Sequence, residues 1–72
     1  MYDIFVLEYG PKLTKFMGGF ERKSQAYASL LDYFQQNGYE VLDKYDDIEN
    51  DAMDIMAAKH GIMYQYAIEL SR

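Results

Sequence analysis

The chain has no cysteine and no tryptophan, and only one proline and one histidine in its 72 residues. Without cysteine there is no disulfide to staple a short fold and no thiolate to hold zinc. Long apolar runs are also missing. The opening Tyr2, Asp3, Ile4, Phe5, Val6, Leu7 is interrupted by charge within a few positions, far short of the roughly 20 apolar residues that cross a bilayer. It shows neither the basic n-region nor the small-residue cleavage site of a secretion signal. These absences predict a soluble, cytoplasmic protein with no membrane partner. Positive charge is scarce as well, with 7 Lys and Arg against 12 Asp and Glu and a net charge of −5. That balance opposes general affinity for nucleic acid.

Half of the residues are apolar, and eight tyrosines and four phenylalanines are among them. This composition belongs to a folded chain rather than a disordered one. The length allows one domain, residues 1–72, near the lower limit for a self-sufficient core.

Tyr2–Tyr9 is β-branched and aromatic, with apolar side chains in both alternating sets, as in a central strand. Gly10-Pro11 predicts a turn, Lys12–Met17 a second strand, and Gly18-Gly19 its end. Ser24 is a candidate N-cap. Tyr27, Leu30, Leu31 and Phe34 then fall at i, i+3, i+4 and i+7, so a helix is predicted over Gln25–Gln36 with Gly38 just beyond it. Tyr39, Val41 and Leu42 read as an extended connector. A second helix is predicted from Asp46 or Asp47 to Gly61, with Ile48, Ala52, Ile55 and Met56 as its buried stripe. Ile62–Leu70 alternates as a strand. The expected fold is α+β: a small ββααβ domain, with a three-stranded antiparallel sheet in the order 2-1-3 and two helices on one face.

Motifs for chemistry are sparse. His60 is alone and falls at a predicted helix end, and no Gly-x-Ser-x-Gly elbow occurs. Gly18-Gly19 belongs to no phosphate-binding pattern. EF-hand registers begun at Asp43 or Asp47 place Ile48 or Ala52 where the loop requires glycine. A three-stranded domain also offers little concavity for a substrate. The expectation is a non-enzymatic protein with no catalytic residue, metal ligand or cofactor.

The unusual feature is acidity. Residues 40–54 hold seven acids against Lys44 alone. On a second helix, Asp47, Asp51 and Asp54 would line one side at i, i+4 and i+7, with Asp43 and Asp46 extending the surface and Glu40 beyond them. A solvated helix start explains Asp46, Asp47 and Glu49, since the dipole favours acids there. It does not explain Asp51 and Asp54. Regularly spaced carboxylates resemble the charge pattern of a phosphate backbone. The predicted site is therefore a partner-binding surface of Asp43, Asp46, Asp47, Asp51 and Asp54, with Tyr39, Tyr45 and an exposed Met53 as anchors. Its partner would be a nucleic-acid-binding protein with a basic cleft.

Short, acidic, tyrosine-rich and cysteine-free, the chain resembles small phage-encoded inhibitors of host defence, such as anti-CRISPR and anti-restriction proteins. The resemblance implies a counter-defence role in the host cytoplasm and assigns no residue a function. Two alternatives use other surfaces. One is homodimerisation through an exposed sheet face. The other is single-stranded nucleic-acid binding by Lys12, Lys15, Arg22 and Lys23 around Phe16 and Phe20, against which the net charge argues.

Overall fold

The computed structural model describes residues 1–7 and 13–71. Along the chain lie β1 (Tyr2–Leu7), β2 (Leu13–Phe20), α1 (Lys23–Asn37), β3 (Glu40–Asp47), β4 (Ala52–Lys59) and β5 (Ile62–Leu70). The strands form one antiparallel sheet in the order β2-β1-β5-β4-β3. The expected three-stranded sheet with two helices is thus corrected to five strands and one helix. β1 still pairs with β2 and with the last strand, but β5 takes the central place. The predicted Gly10-Pro11 turn, with Tyr9 and Lys12, lies outside the described residues.

α1 forms because its apolar residues recur at helical spacing. Ala26, Leu30 and Phe34 are buried at i, i+4 and i+8, with Tyr27, Leu31 and Tyr33 packed beside them. It begins two residues before the predicted start, at Lys23, where the Gln25 side chain accepts the Arg22 N–H at 3.2 Å; Ser24 is not the cap. Gly38 ends it in the left-handed region at φ 74°, and the Tyr39 N–H then bonds the Phe34 carbonyl at 2.9 Å.

The predicted second helix is a hairpin. Residues 48–59 satisfy two periods: Ile48, Ala52, Ile55 and Met56 recur as on a helix, but Met53, Ile55 and Ala57 also alternate with Asp54, Met56 and Ala58. The strand period wins because β4 lies between β3 and β5 and is laddered to both, burying its alternate residues under α1. As a helix the same segment would stack Asp47 on Asp51, a like-charge i, i+4 pair. Turn chemistry agrees with the hairpin. Asp47 accepts from the Asn50 backbone and side chain at 3.3 and 2.8 Å, and Asp51 takes a left-handed φ of 52°. His60 and Gly61, read from sequence as a helix end, have φ of 52° and 76° between β4 and β5, as a two-residue type I′ turn requires.

Gly18-Gly19 lies inside β2 instead of ending it. β2 carries two bulges against β1, one near Phe16 and one at the glycines. The first leaves Phe16 unpaired beside Met17, and the Phe16 ring and the Met17 thioether both pack against the core, where Phe16 meets Tyr33 at 4.8 Å and Tyr66 at 5.6 Å. The second lets β2 pass close over Asp3, whose carboxylate accepts the Gly19 N–H at 3.2 Å. A Cβ at Gly18 would overlap that carboxylate and lie 2.6 Å from Lys15 Cε. Gly18→Val should therefore destabilise the fold by about 1–3 kcal/mol in urea denaturation, and Asp3→Ala in the same chain should restore part of the loss. An unchanged midpoint for Gly18→Val would mean that β2 does not approach Asp3 this closely.

The core sits between α1 and one face of the sheet, with Ile4, Leu30, Phe34, Ile55 and Ile68 fully buried. Chain ends meet at one corner: the Ser71 N–H and hydroxyl both donate to the Met1 carbonyl, at 2.6 and 2.7 Å.

Candidate functional site

Alternation along each strand sends every second side chain away from α1, and the ladders align these into rows across the open face. One row runs Leu13, Leu7, Gln65, Met56, Asp43. The next runs Lys15, Phe5, Ala67, Asp54, Tyr45. At the far end of the strands stand Asp3 beside Glu69 and Ala52 beside Asp47. At the near end Ala58 lies between Met63 and Glu40. An apolar patch lies on this face, with Phe5, Leu7 and Met56 half-buried and Ala67 buried, and the exposed Gln65 stands between Leu7 and Met56. The rim of the face is acidic.

The rim holds a shallow trough of about 680 Å³, walled by Phe5, Leu70, Asp3, Asp54 and Glu69 and floored by Ala52 toward Asp47 and Asn50. Four carboxylates line it and no basic side chain does. A smaller depression of about 80 Å³ lies between Tyr45, Asp54, Met56 and Gln65. Lys15 is the one cation on this face among the described residues, 3.7 Å from the Asp3 carboxylate. Among the described residues the open face thus carries Asp3, Glu40, Asp43, Asp47, Asp54 and Glu69 against one lysine. Elsewhere among the described residues five acids stand against four bases. Nearly all the excess negative charge is therefore on one side of the sheet.

The predicted site residues divide between the two sides. Asp43, Asp47, Asp54 and Tyr45 share the open face, and Tyr45 is 62 % exposed. Asp46 and Asp51 stand toward α1, where Lys23 Nζ reaches Asp46 at 2.6 Å and Asp51 at 3.8 Å. The Tyr2 hydroxyl donates to Asp51 at 2.5 Å. The imagined line of Asp47, Asp51 and Asp54 does not exist, because it required a helix. Met53 is buried at 7 % exposure rather than exposed, and Tyr39 packs on the core against Phe34 at 5.3 Å and Tyr64 at 5.6 Å. Neither is a surface anchor. Asp3, Glu69, Phe5, Met56 and Ala67 belong to the open face and were not among the predicted site residues. Their signal was present in the alternation of Tyr2–Leu7, Ala52–Lys59 and Ile62–Leu70, and they share a face only through the ladders of β5 with β1 and β4.

The basic cluster of the sequence is spread over both sides of the sheet and partly paired. Lys15 and Lys23 are in ion pairs, Phe16 is turned into the core, and Lys12 lies outside the described residues. Among the described residues no three His, Asp or Glu side chains converge as metal ligands, and no helix is long and apolar enough to cross a membrane.

The shifted titrations lie on the α1 side. The hydrogen bond to Asp46 raises the Lys23 pKa, and the bond to Asp51 raises that of Tyr2. The contact with Tyr39 raises Tyr33, and burial raises Tyr66. All four shifts favour the protonated form in the folded chain. Their contribution is complete below the ordinary values of about 10 for tyrosine and 10.5 for lysine, and is lost as pH rises through the folded values. Stability should fall above about pH 10. In an alkaline titration, tyrosinate absorbance should rise in a late step that coincides with loss of the far-ultraviolet dichroism. Tyr66→Phe should move that step to higher pH; complete ionisation without unfolding would contradict the assignment.

Comparison of the chain with protein-family models, with curated proteins and with solved structures finds no match.

Proposed function

We propose that the protein is a non-catalytic binding module whose open sheet face occupies the basic, nucleic-acid-binding surface of a partner protein, in the manner of a phage-type inhibitor of host defence. The observation that supports this reading is the charge distribution among the described residues: six carboxylates against Lys15 on the face opposite α1, Asp3 buried and paired with that lysine and the other five free of ion pairs, with near balance elsewhere. A surface built to hold phosphates with lysine and arginine is complementary to that face, and such complementarity steers association and fixes partner choice. The apolar patch supplies what charge alone does not, since an acidic rim around exposed Leu13, Tyr45 and Met63 has the anatomy of a protein interface.

The homodimer alternative fares worse on the same observation. Two copies docked through this face would set six carboxylates against six. Edge pairing is also hindered, because β2 is twice bulged and β3 carries Glu40, Asp43, Asp46 and Asp47 along a bulged edge.

The test is capture of the partner from host lysate on the immobilised chain, followed by competition. The captured protein should itself bind nucleic acid, and duplex DNA or RNA should displace it in proportion to its own affinity. Capture should weaken steeply with salt. A captured partner indifferent to both nucleic acid and salt would overturn the reading.

A further inference from the structure

The two faces of the sheet are unequally finished. On one, α1 lays Ala26, Leu30 and Phe34 over the apolar rows of β1, β4 and β5. On the other, the same strands present Phe5, Leu7, Met56 and Ala67 with nothing of the described chain across them. Strands apolar on both faces are found where both faces are covered. The uncovered rows run across the strands, and a helix about 10 Å across would span two of them while stacking about 10 Å above the sheet. The carboxylates are asymmetric about these rows. Asp3, Glu69, Asp47 and Asp54 crowd the trough at one end of the strands, and Asp43 closes the β3 edge.

We infer that the occupant of the open face is a basic amphipathic α-helix of the partner, its apolar stripe on Phe5, Leu7, Met56 and Ala67 and its lysines or arginines in the carboxylate trough. This rests on the docking face proposed above and adds the shape of what docks there. A second β-strand is the poorer occupant, since both sheet edges are interrupted by bulges. A nucleic acid is excluded by charge. A helix of about 18 residues is ~27 Å long, close to the 33 × 26 Å extent of the molecule, so one such segment would cover the face. The helix places its apolar and cationic groups on adjacent sides at once, which matches the adjacency of rows and trough.

The experiment uses the full chain and three synthetic peptides of about 18 residues. The first has leucines at i, i+3, i+4 and i+7 and lysines elsewhere. The second has the same composition with the leucines alternating, and the third is lysine alone. Amide shifts of the isotope-labelled protein are followed in low salt. The helical-pattern peptide should shift Phe5, Leu7, Met56 and Ala67, gain helical dichroism on binding, and bind at least about tenfold tighter than the alternating one, the scale of one buried apolar side chain. Met56→Glu should abolish that preference while lysine peptide binding persists. Equal affinity of the three peptides for the open face would overturn the helix and leave the basic-partner reading standing. No binding by any of them, or shifts confined to the α1 side, would overturn both.

Discussion

Phe34→Ala should remove roughly a third or more of the chain's stability and lower its urea midpoint sharply. Phe34 is fully buried at the centre of the aromatic core, with Tyr66 at 5.0 Å, Tyr39 at 5.3 Å and Tyr33 at 6.1 Å between ring centroids. Truncation removes the largest of the fully buried side chains and leaves a cavity between α1 and β5, a loss of about 3–5 kcal/mol. A chain of 72 residues has on the order of 4–11 kcal/mol in total. No disulfide offsets the deficit. Phe34→Leu keeps most of the volume and should cost on the order of 1 kcal/mol, with a cooperative transition retained. Urea titration followed by far-ultraviolet dichroism reads both. If the midpoint of Phe34→Ala stays at that of the parent chain, the core is not organised around this ring.

Reversing three charges on the open face should do the opposite, sparing the fold and removing the function. Asp43, Asp54 and Glu69 are exposed, and among the described residues none of the three is in an ion pair. Changing all three to lysine leaves three carboxylates against four lysines, so the sign of the face is inverted. Stability should shift by no more than a few tenths of a kcal/mol per site. Association with a basic partner should slow by about 100-fold or more at low ionic strength, the range separating steered from unsteered encounter. The difference between parent and variant should shrink as salt is raised, because exposed charges are screened beyond about 10 Å at 0.1 M. Stopped-flow association at several salt concentrations measures both. Equal rates at low salt would remove the open face as the docking surface. The same triple change at Asp46 and Asp51 with Glu49 would be uninformative, because it would also break the contacts of Lys23 and Tyr2.

Local signals carried parts of the chain that need no distant partner. The stripe of Leu30, Leu31 and Phe34 with Gly38 beyond it located α1 to within two residues. Alternation through Tyr64, Tyr66 and Ile68 located β5. The segment from Asp46 to Gly61 misled because its apolar residues fit both periods. Asp46, Asp47 and Glu49 imitate a capped helix start, and alanines at 57 and 58 favour a helix locally. What decided the matter was pairing on both sides of β4, which no short window contains. The acidic character of Asp43, Asp47 and Asp54 was legible, but their grouping was not. Placing Asp47 and Asp54 on a helix joined them to Asp51 and hid Asp3 and Glu69, which lie near opposite ends of the chain and become neighbours only through the β1–β5 ladder.

The seam between β1 and β5, closed at its end by Ser71 and Met1, carries the largest loop-closure cost in the fold. The β1–β2 pair and the β3–β4–β5 meander each join neighbours in sequence, whereas the seam closes a loop of nearly the whole chain. Phe5 and Leu7 lie on one side of it, Ala67 and Met56 on the other. Neither half alone presents the apolar patch or the full set of carboxylates. On the proposed docking face, recognition would be coupled to completion of folding: a partner would select molecules whose first and last strands have met, and its binding would stabilise that closed form.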